Sequence, residues 1–388
     1  MKKSISYYLS HPIQYFSPLL KEMSRNFDLS VYYLSDVSVK GGLDIGFGVP
    51  VKWDVPMLEG YEYKFITNYS SRKSLSNKFL DLVNPGVIPT LMRDKSSIII
   101  VNSWSYFSVL LIIVFAKLLG KQVWLRAENP FNQEMNKKRV VLILKRILLK
   151  YFLFKLIDKF MYIGSQNKKF FQYFGVKNED LIFTPYAVDN DFFRGKYTEQ
   201  FASRGKLKEA LGIPVDNKII MFAGKYISKK RPMDLLKAFE MLKRSEVTLV
   251  MVGEGQLRNE MEQYCKRNDI QNVILTGFIN QSKISVYYTI ADVFVMCSGS
   301  GETWGLAVNE AMNFALPIVV SDTCGCSYDL VTNGENGFIV PEGDISQLMA
   351  RIDSALDDSF KLLAGLSSQE RVKSYSISNI IANIRQVD

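Results

Sequence analysis

A single histidine, His11, serves all 388 residues of this chain. That scarcity argues against a His/Cys metal cluster, for which several ligands must converge. The four cysteines, Cys265, Cys297, Cys324 and Cys326, are no better placed for one. Cys324-Gly325-Cys326 has one intervening residue, not the two of a redox or zinc pair. Free thiols in a reducing cytosol are expected. Long apolar runs are also missing. Phe107–Leu119 contains Lys117 and is too short to span a bilayer, so it reads as a buried helix. Met1-Lys2-Lys3-Ser4-Ile5-Ser6 lacks a signal peptide's apolar core and cleavage site. A cytoplasmic chain is expected, soluble or peripheral at the inner face of the membrane. Low-complexity tracts and solenoid-period repeats are absent. No acidic D-x-D pair stands where it would hold a divalent ion. Asp357-Asp358 is adjacent and late in the chain, and a surface role is expected for it.

What is present is an ordinary globular composition, with 47% hydrophobic and 22% charged residues. The length favours two domains over one core. The net charge of +9 is unevenly spread. Residues 1–200 hold 28 Lys and Arg against 17 Asp and Glu, a net +11, while residues 201–388 hold 20 against 22, a net −2. The basic first half favours an anionic partner: a phospholipid surface, a lipid phosphate or a nucleic acid. Nucleic acid is the weakest of these, because no RRM, KH, zinc or helix-turn-helix signature accompanies the charge.

Both halves alternate strand-like and helix-like runs. Ile5–Leu9, Leu29–Leu34, Ser97–Val101, Gln122–Leu125 and Phe160–Gly164 read as strands of the first half, with Val140–Phe160 a long helix. The pattern restarts with strands at Lys218–Phe222, Val247–Val252, Val273–Leu275, Val293–Met296, Ile318–Val320 and Gly337–Val340. Final helices are expected at about 344–357 and 377–386. Repeated βαβ units imply parallel sheets, hence the α/β class. Thr184–Phe193 has turn residues and no period, which suits a linker. The expected division is a first lobe over 1–190, a second over 191–370, and a C-terminal helix within 371–388 that packs back on the first lobe.

Chemistry gathers in the second half. Gly301-Glu302-Thr303-Trp304-Gly305-Leu306-Ala307-Val308-Asn309-Glu310 follows the strand Val293–Met296 and runs into a helix. Glu302 is therefore expected in a loop at the strand's carboxyl end, where open α/β sheets bind ligands. Glu310 follows in the helix. Carboxylates there accept hydrogen bonds from sugar hydroxyls, and the first-turn N–H groups favour a phosphate. After the strand Lys218–Phe222 comes Gly224-Lys225-Tyr226-Ile227-Ser228-Lys229-Lys230-Arg231, four cations before a helix start, which suits a diphosphate.

The glutamate run resembles the E-x7-E signature of retaining glycosyltransferases of family 4, which have the GT-B fold. The resemblance covers most of the second half and is thinner over the first. It implies two Rossmann-like α/β/α lobes facing across a cleft. It also implies transfer of a sugar from a nucleoside diphosphate sugar, UDP before GDP, to a saccharide or lipid-linked saccharide. Surface-polysaccharide or glycolipid synthesis is the expected setting. By the same resemblance Lys225 and Lys230 contact the donor diphosphate beside Gly224. Glu310 holds the ribose, Glu302 with Thr303 holds the donor sugar, and the N–H groups of Gly305 and Leu306 face the phosphates or the sugar. Gly277, Phe278 and Ile279 pass the base, and Val252-Gly253-Glu254-Gly255 looks like the family's Gly-x-Gly turn. With two lysines on the diphosphate, no metal and no other cofactor are required. The chain departs from the family pattern in having Lys225 for arginine and Thr303-Trp304 for a Gly-Phe pair. Its first loop also has no glycine-rich turn.

The first half offers acceptor candidates at the expected strand ends: His11 and Gln14 after the first strand, Asn102, and Arg126 with Glu128. His11 is the candidate proton acceptor, and His11, Glu302, Lys225 and Lys230 form the candidate catalytic set. Trp53-Asp54 and Ser103-Trp104 could stack on or hydrogen-bond to sugars, or pack in the core. The run 137–159 carries eight cations among long apolar side chains, with Asp158 its one acid. It reads as an interfacial helix on anionic lipid or as a lobe helix with a solvated basic rim. A nucleotide-sugar 2-epimerase of the same fold is the alternative enzyme, and a nucleic-acid-binding protein the alternative outside enzymes.

Overall fold

Strands of a parallel sheet covered on both faces read as unbroken apolar runs. The computed structural model, which describes residues 2–44, 47–71 and 78–387, follows that rule. Along the first half run β1 (Ser4–Leu9), β2 (Asp28–Tyr33), the short pair β3 (Gly42–Asp44) and β4 (Val49–Val51), and β5 (Tyr63–Phe65). Next come β6 (Ile98–Asn102), β7 (Gln122–Arg126), β8 (Lys159–Tyr162) and β9 (Leu181–Phe183). The second half supplies β10 (Lys218–Ala223), β11 (Val247–Val252), β12 (Val273–Leu275), β13 (Val293–Met296), β14 (Ile318–Ser321) and β15 (Gly337–Val340).

These strands make two parallel sheets, ordered β5-β2-β1-β6-β7-β8-β9 and β12-β11-β10-β13-β14-β15, while β3 pairs with β4 alone. The registers are parallel throughout both large sheets, for example Ile5 beside Leu29 and Ile98, and Met221 beside Val250 and Phe294. Each sheet has its own apolar core. One is built on Ile99, Val101, Leu125, Phe160 and Phe170, the other on Ile220, Phe222, Leu249, Met251 and Val295.

The first unit takes in residues 1–42, 55–185 and 377–388, and the second 43–54 and 186–376. The change of unit therefore falls at Pro185–Tyr186 rather than after residue 190. A segment of the first half, Leu43–Asp54, joins the second unit, which no local pattern indicated. The helix Asp358–Val372, also unanticipated, stays with the second unit, burying Ala364, Ser368 and Val372. Asp357 caps it, accepting from the Ser359 and Phe360 N–H groups at 3.0 and 3.1 Å. The last helix, Ile377–Gln386, lies on the helix Ser17–Asn26 and on β9, with Asn383 Nδ2 donating to Phe183 O at 2.8 Å.

The long helix expected over Val140–Phe160 is shorter, Arg139–Tyr151, followed by a 3₁₀ turn at Leu153–Leu156. The chain must turn there to lay β8 beside β7. Phe154 and Ile157 are buried in the core. Asp158 N–H donates to Val123 O at 2.8 Å, while the Asp158 carboxylate accepts from Val123 N–H at 2.7 Å and from Lys117 at 2.9 Å.

Asp292, just before β13, is the charged anchor of the second unit. Its buried carboxylate accepts from Ile219 N–H at 2.9 Å and pairs with Arg204 at 2.7 Å and Lys361 at 2.8 Å. Burial raises the carboxyl's pKa, but the two cations outweigh it and hold the group below the usual carboxylate range. Asp292→Ala leaves the buried Ile219 N–H without its acceptor and Arg204 without a carboxylate, while Lys361 keeps only Asp358 at 3.1 Å. It is expected to cost about 3 kcal/mol, read as a lowered urea midpoint with unchanged slope.

Candidate active site

The order of the second sheet reverses between β10 and β13: the chain leaves β10 for β11 on one side and returns as β13 on the other. A crevice forms outside the carboxyl ends of strands at such a reversal. The loop after β10 delivers Gly224, Lys225 and Lys230 there, and the loop after β13 delivers Glu302, Thr303 and Gly305. The two loops meet where Lys230 Nζ donates to Glu302 Oε2. Glu302 is only 8% exposed. Gly305 precedes the helix Leu306–Asn313 at φ 109°, and a Cβ there would stand 2.6 Å from Met296 Sδ, so only glycine fits. Glu310 is buried within that helix and accepts from the Tyr288 hydroxyl at 2.7 Å.

The neighbouring contacts separate the four cations. Arg231, in the left-handed conformation before the helix Pro232–Leu242, is bound by Asp234 at 2.6 Å and Glu342 at 3.1 Å. Glu342 also accepts from Ser300 N–H at 3.2 Å, and Lys229 Nζ donates to Gly301 O at 3.2 Å. Arg231 and Lys229 therefore tie the two loops together. Lys230 faces Glu302, and Lys225 Nζ sits 4.5 Å from the centre of the Phe47 ring.

Backbone close approaches fix the floor. A Cβ on Gly255 would meet Tyr226 O at 2.6 Å, and one on Gly253 or Gly325 would overlap Gly224 O or Thr303 O. The Gly-x-Gly turn and Gly325 are thus packing requirements of the loops that carry Lys225 and Glu302. Gly325 and Cys326 N–H groups donate to Glu302 O and Trp304 O at 3.2 and 3.1 Å. Trp304 is buried, stacks on Tyr186 and donates from Nε1 to Asn309 Oδ1 at 2.8 Å, so it packs the loop.

Gly277, Phe278 and Ile279 follow β12. Gly277 has φ 76°, and its carbonyl accepts from Gly253 N–H at 3.1 Å. Phe278 meets Phe47 and Trp53 edge-on, at 4.9 and 5.7 Å between ring centres. Trp53 and Asp54, read from sequence among the first-half acceptor candidates, thus belong to the second unit. Asn280 Nδ2 donates to Lys52 O at 2.8 Å, and the Ser282 hydroxyl donates to Asp54. The cause is the long-range contact of Phe47, Lys52, Trp53 and Asp54 with Phe278, Asn280 and Ser282, invisible to local pattern.

The first sheet reverses between β1 and β6. The Tyr7 hydroxyl spans that reversal and donates to Asn102 Oδ1 at 2.7 Å. Burial pushes the Tyr7 hydroxyl well above its ordinary value; the Arg126 charge opposes this and the Glu128 charge adds to it. Arg126 is buried at the end of β7, 5.4 Å over the Phe16 ring. Gln14 is half-buried in the loop after β1. In the same loop, His11 Nδ1 lies 2.9 Å from Ser10 Oγ, and burial lowers its pKa from 6.5 to about 4. Its imidazole is neutral at neutral pH. Trp104 is partly buried, stacks on Phe170 and packs against the core.

Sequence reasoning missed Tyr288, Glu342 and Phe47. Each acts through a partner distant in sequence, and none stands in a motif. All four cysteines are free thiols; burial raises Cys297 and Cys324 to about 12, so both stay protonated. Among the described residues, no group of three or more His, Cys, Asp or Glu side chains is gathered as a metal site.

Residues 203–376 match the family of glycosyl transferases group 1. The match lies wholly within the second unit and includes Lys225, Lys230, Glu302 and Glu310. The chain is 27% identical to the sulfoquinovosyl transferase SQD2 of Arabidopsis thaliana, over 51% of this chain and 38% of that protein. It is 26% identical to the capsular polysaccharide biosynthesis glycosyltransferase CapM of Staphylococcus aureus, over 56% of this chain and 54% of that protein. It therefore spans about four- to five-tenths of the length of these curated relatives. In three dimensions it resembles the Anabaena protein Alr3699/HepE, solved with UDP and glucose, at a TM-score of 0.71 and 15% identity, covering 99% of this chain and 98% of that one. With two parallel α/β lobes, the fold is GT-B.

The His11 shift has a measurable sign. Between about pH 4 and 6.5 the unfolded chain binds a proton that the folded one does not, so this contribution to stability falls as pH drops through that window. Its slope is at most about 1.4 kcal/mol per pH unit. Comparing the urea stability of wild type and His11→Asn from pH 7 to 4 should show the variant losing less.

Proposed function

We propose that this protein is a retaining glycosyltransferase that moves a sugar from a nucleoside diphosphate sugar to an acceptor hydroxyl. The observation that carries the reading is the meeting of Lys230 with Glu302 in the crevice between β10 and β13. In the reaction the bond from the anomeric carbon to the phosphate oxygen breaks and the nucleoside diphosphate departs. Its growing negative charge is stabilised by Lys225, by Lys230 and by the Gly305 and Leu306 N–H groups at the start of a helix. An ammonium has three donors, so Lys230 can hold a phosphate oxygen while keeping Glu302 in place. Glu302, with Thr303 beside it, holds hydroxyls of the transferred sugar, and Glu310, oriented by Tyr288, holds the ribose. Gly277, Phe278 and Ile279 flank the base.

UDP is the preferred nucleotide, supported by its presence in the similar Anabaena structure. The acceptor is a saccharide or lipid-linked saccharide met on the cytoplasmic side of the membrane, in surface-polysaccharide or glycolipid synthesis; the similar protein CapM bears a capsular-polysaccharide name. Neutral His11, with Gln14, Asn102, Arg126 and Glu128, is assigned to the acceptor, and His11 takes the hydrogen bond of the attacking hydroxyl. The fixed cations make a divalent metal unnecessary in this scheme.

UDP should raise the melting temperature more than GDP or ADP at equal concentration. Lys225→Ala and Lys230→Ala should each lower kcat/KM about 100-fold, and excess EDTA should leave the rate unchanged. Near-normal turnover in both variants would refute the diphosphate assignment. Interconversion of the nucleotide sugar with no acceptor present would make the protein an epimerase instead.

A further inference from the structure

A surface helix ordinarily turns its apolar stripe inward and its charges outward. The helix Arg139–Tyr151 does the reverse. Val140, Ile143, Leu144, Ile147, Leu148 and Tyr151, spaced i, i+3, i+4, i+7, i+8 and i+11, form one stripe, and each is 47–67% exposed. The opposite face buries Leu142 and Leu149. Lys145 also points inward: it pairs with buried Glu134 at 2.8 Å and lies 4.8 Å over the Phe170 ring. Arg139, Arg146 and Lys150 line one edge of the outward stripe, and the helix contains no acid.

We propose that this face inserts into the headgroup and upper acyl region of an anionic phospholipid monolayer, with Arg139, Arg146 and Lys150 on the lipid phosphates. Among the described residues no helix is long and apolar enough to cross a membrane, so the contact is interfacial. Charge complementarity selects this occupant. An anionic surface neutralises the basic edge, whereas a second copy laid on the stripe would bring two such edges together with no acid on either helix. Of the basic run 137–159, Lys137 and Lys145 are held by Glu134 and Lys159 by Asp180, so the lipid-facing charge is narrower than the sequence suggested. The inference goes beyond sugar transfer and stands without it.

Flotation with phosphatidylcholine vesicles, with and without phosphatidylglycerol, tests the proposal. Wild type should bind the anionic vesicles at least tenfold better than the neutral ones. The double variant Leu144→Glu/Leu148→Glu should lose at least tenfold of that binding, with its melting temperature and UDP-induced shift unchanged because both side chains are exposed. In a separate Ile147→Trp variant, difference emission against wild type should shift to the blue on anionic vesicles. Absence of binding, wild-type binding by the double variant, or an unshifted Ile147→Trp emission overturns the insertion. A wild-type dimer in gel filtration that the glutamates dissolve assigns the face to a second copy and overturns it too. Loss of the UDP shift in wild type would strike the sugar-transfer reading and leave this one intact.

Discussion

A parallel sheet buried on both faces uses every backbone N–H and C=O of its inner strands in the ladder, and its side chains in the core. Polar chemistry can then collect only where the strands end. In the second unit β10 and β13 sit side by side while their chain continuations diverge, so the loops after them are the ones left with open space. Lys230 and Glu302 face each other there because the strand order places their loops together. The same reversal between β1 and β6 brings Tyr7 to Asn102 in the first unit. The site geometry follows from sheet topology before any side chain is chosen.

Charge is then sorted by partner. Arg231 and Lys229 spend their donors on Asp234, Glu342 and the Gly301 carbonyl, which closes the loops against each other. Lys225 instead lies against the Phe47 ring and Lys230 against the Glu302 carboxylate. Four cations within seven residues thus divide between those that tie the loops and those that face a single ring or carboxylate. Glycines at 253, 255 and 325 make the division possible, since a side chain at any of them would push one loop off its neighbour. A similar sorting acts on the basic run of the first unit, where Glu134 draws Lys145 inward and pairs with Lys137 at the surface, and Arg139, Arg146 and Lys150 stay on the rim.

Most strands were legible because a buried parallel strand is a short apolar run bounded by turns, and β11, β12, β13 and β15 have the bounds their sequences suggest. The short strands β3, β4, β5 and β9 were not read, and β5 is exposed at all three positions, so no buried apolar run marks it. The helix Asp358–Val372 mixes polar and apolar positions, so its pattern is weak, although Asp357 is a recognisable cap. At the site, Glu302, Glu310, Lys225 and Lys230 were legible from spacing and resemblance. Tyr288, Glu342 and Phe47 were not, because each is brought in from a remote stretch of chain.

The sequence by itself determined the α/β class, the two-lobe repetition and which residues gather in the candidate site of the second unit, since periodicity and local spacing are properties of neighbours along the chain. Only the tertiary structure decided which cation meets which acid, that Leu43–Asp54 joins the second unit, and that the stripe from Val140 to Tyr151 faces outward. Those outcomes depend on contacts between distant segments and on which helix face the core has room to accept, and no local pattern carries that information.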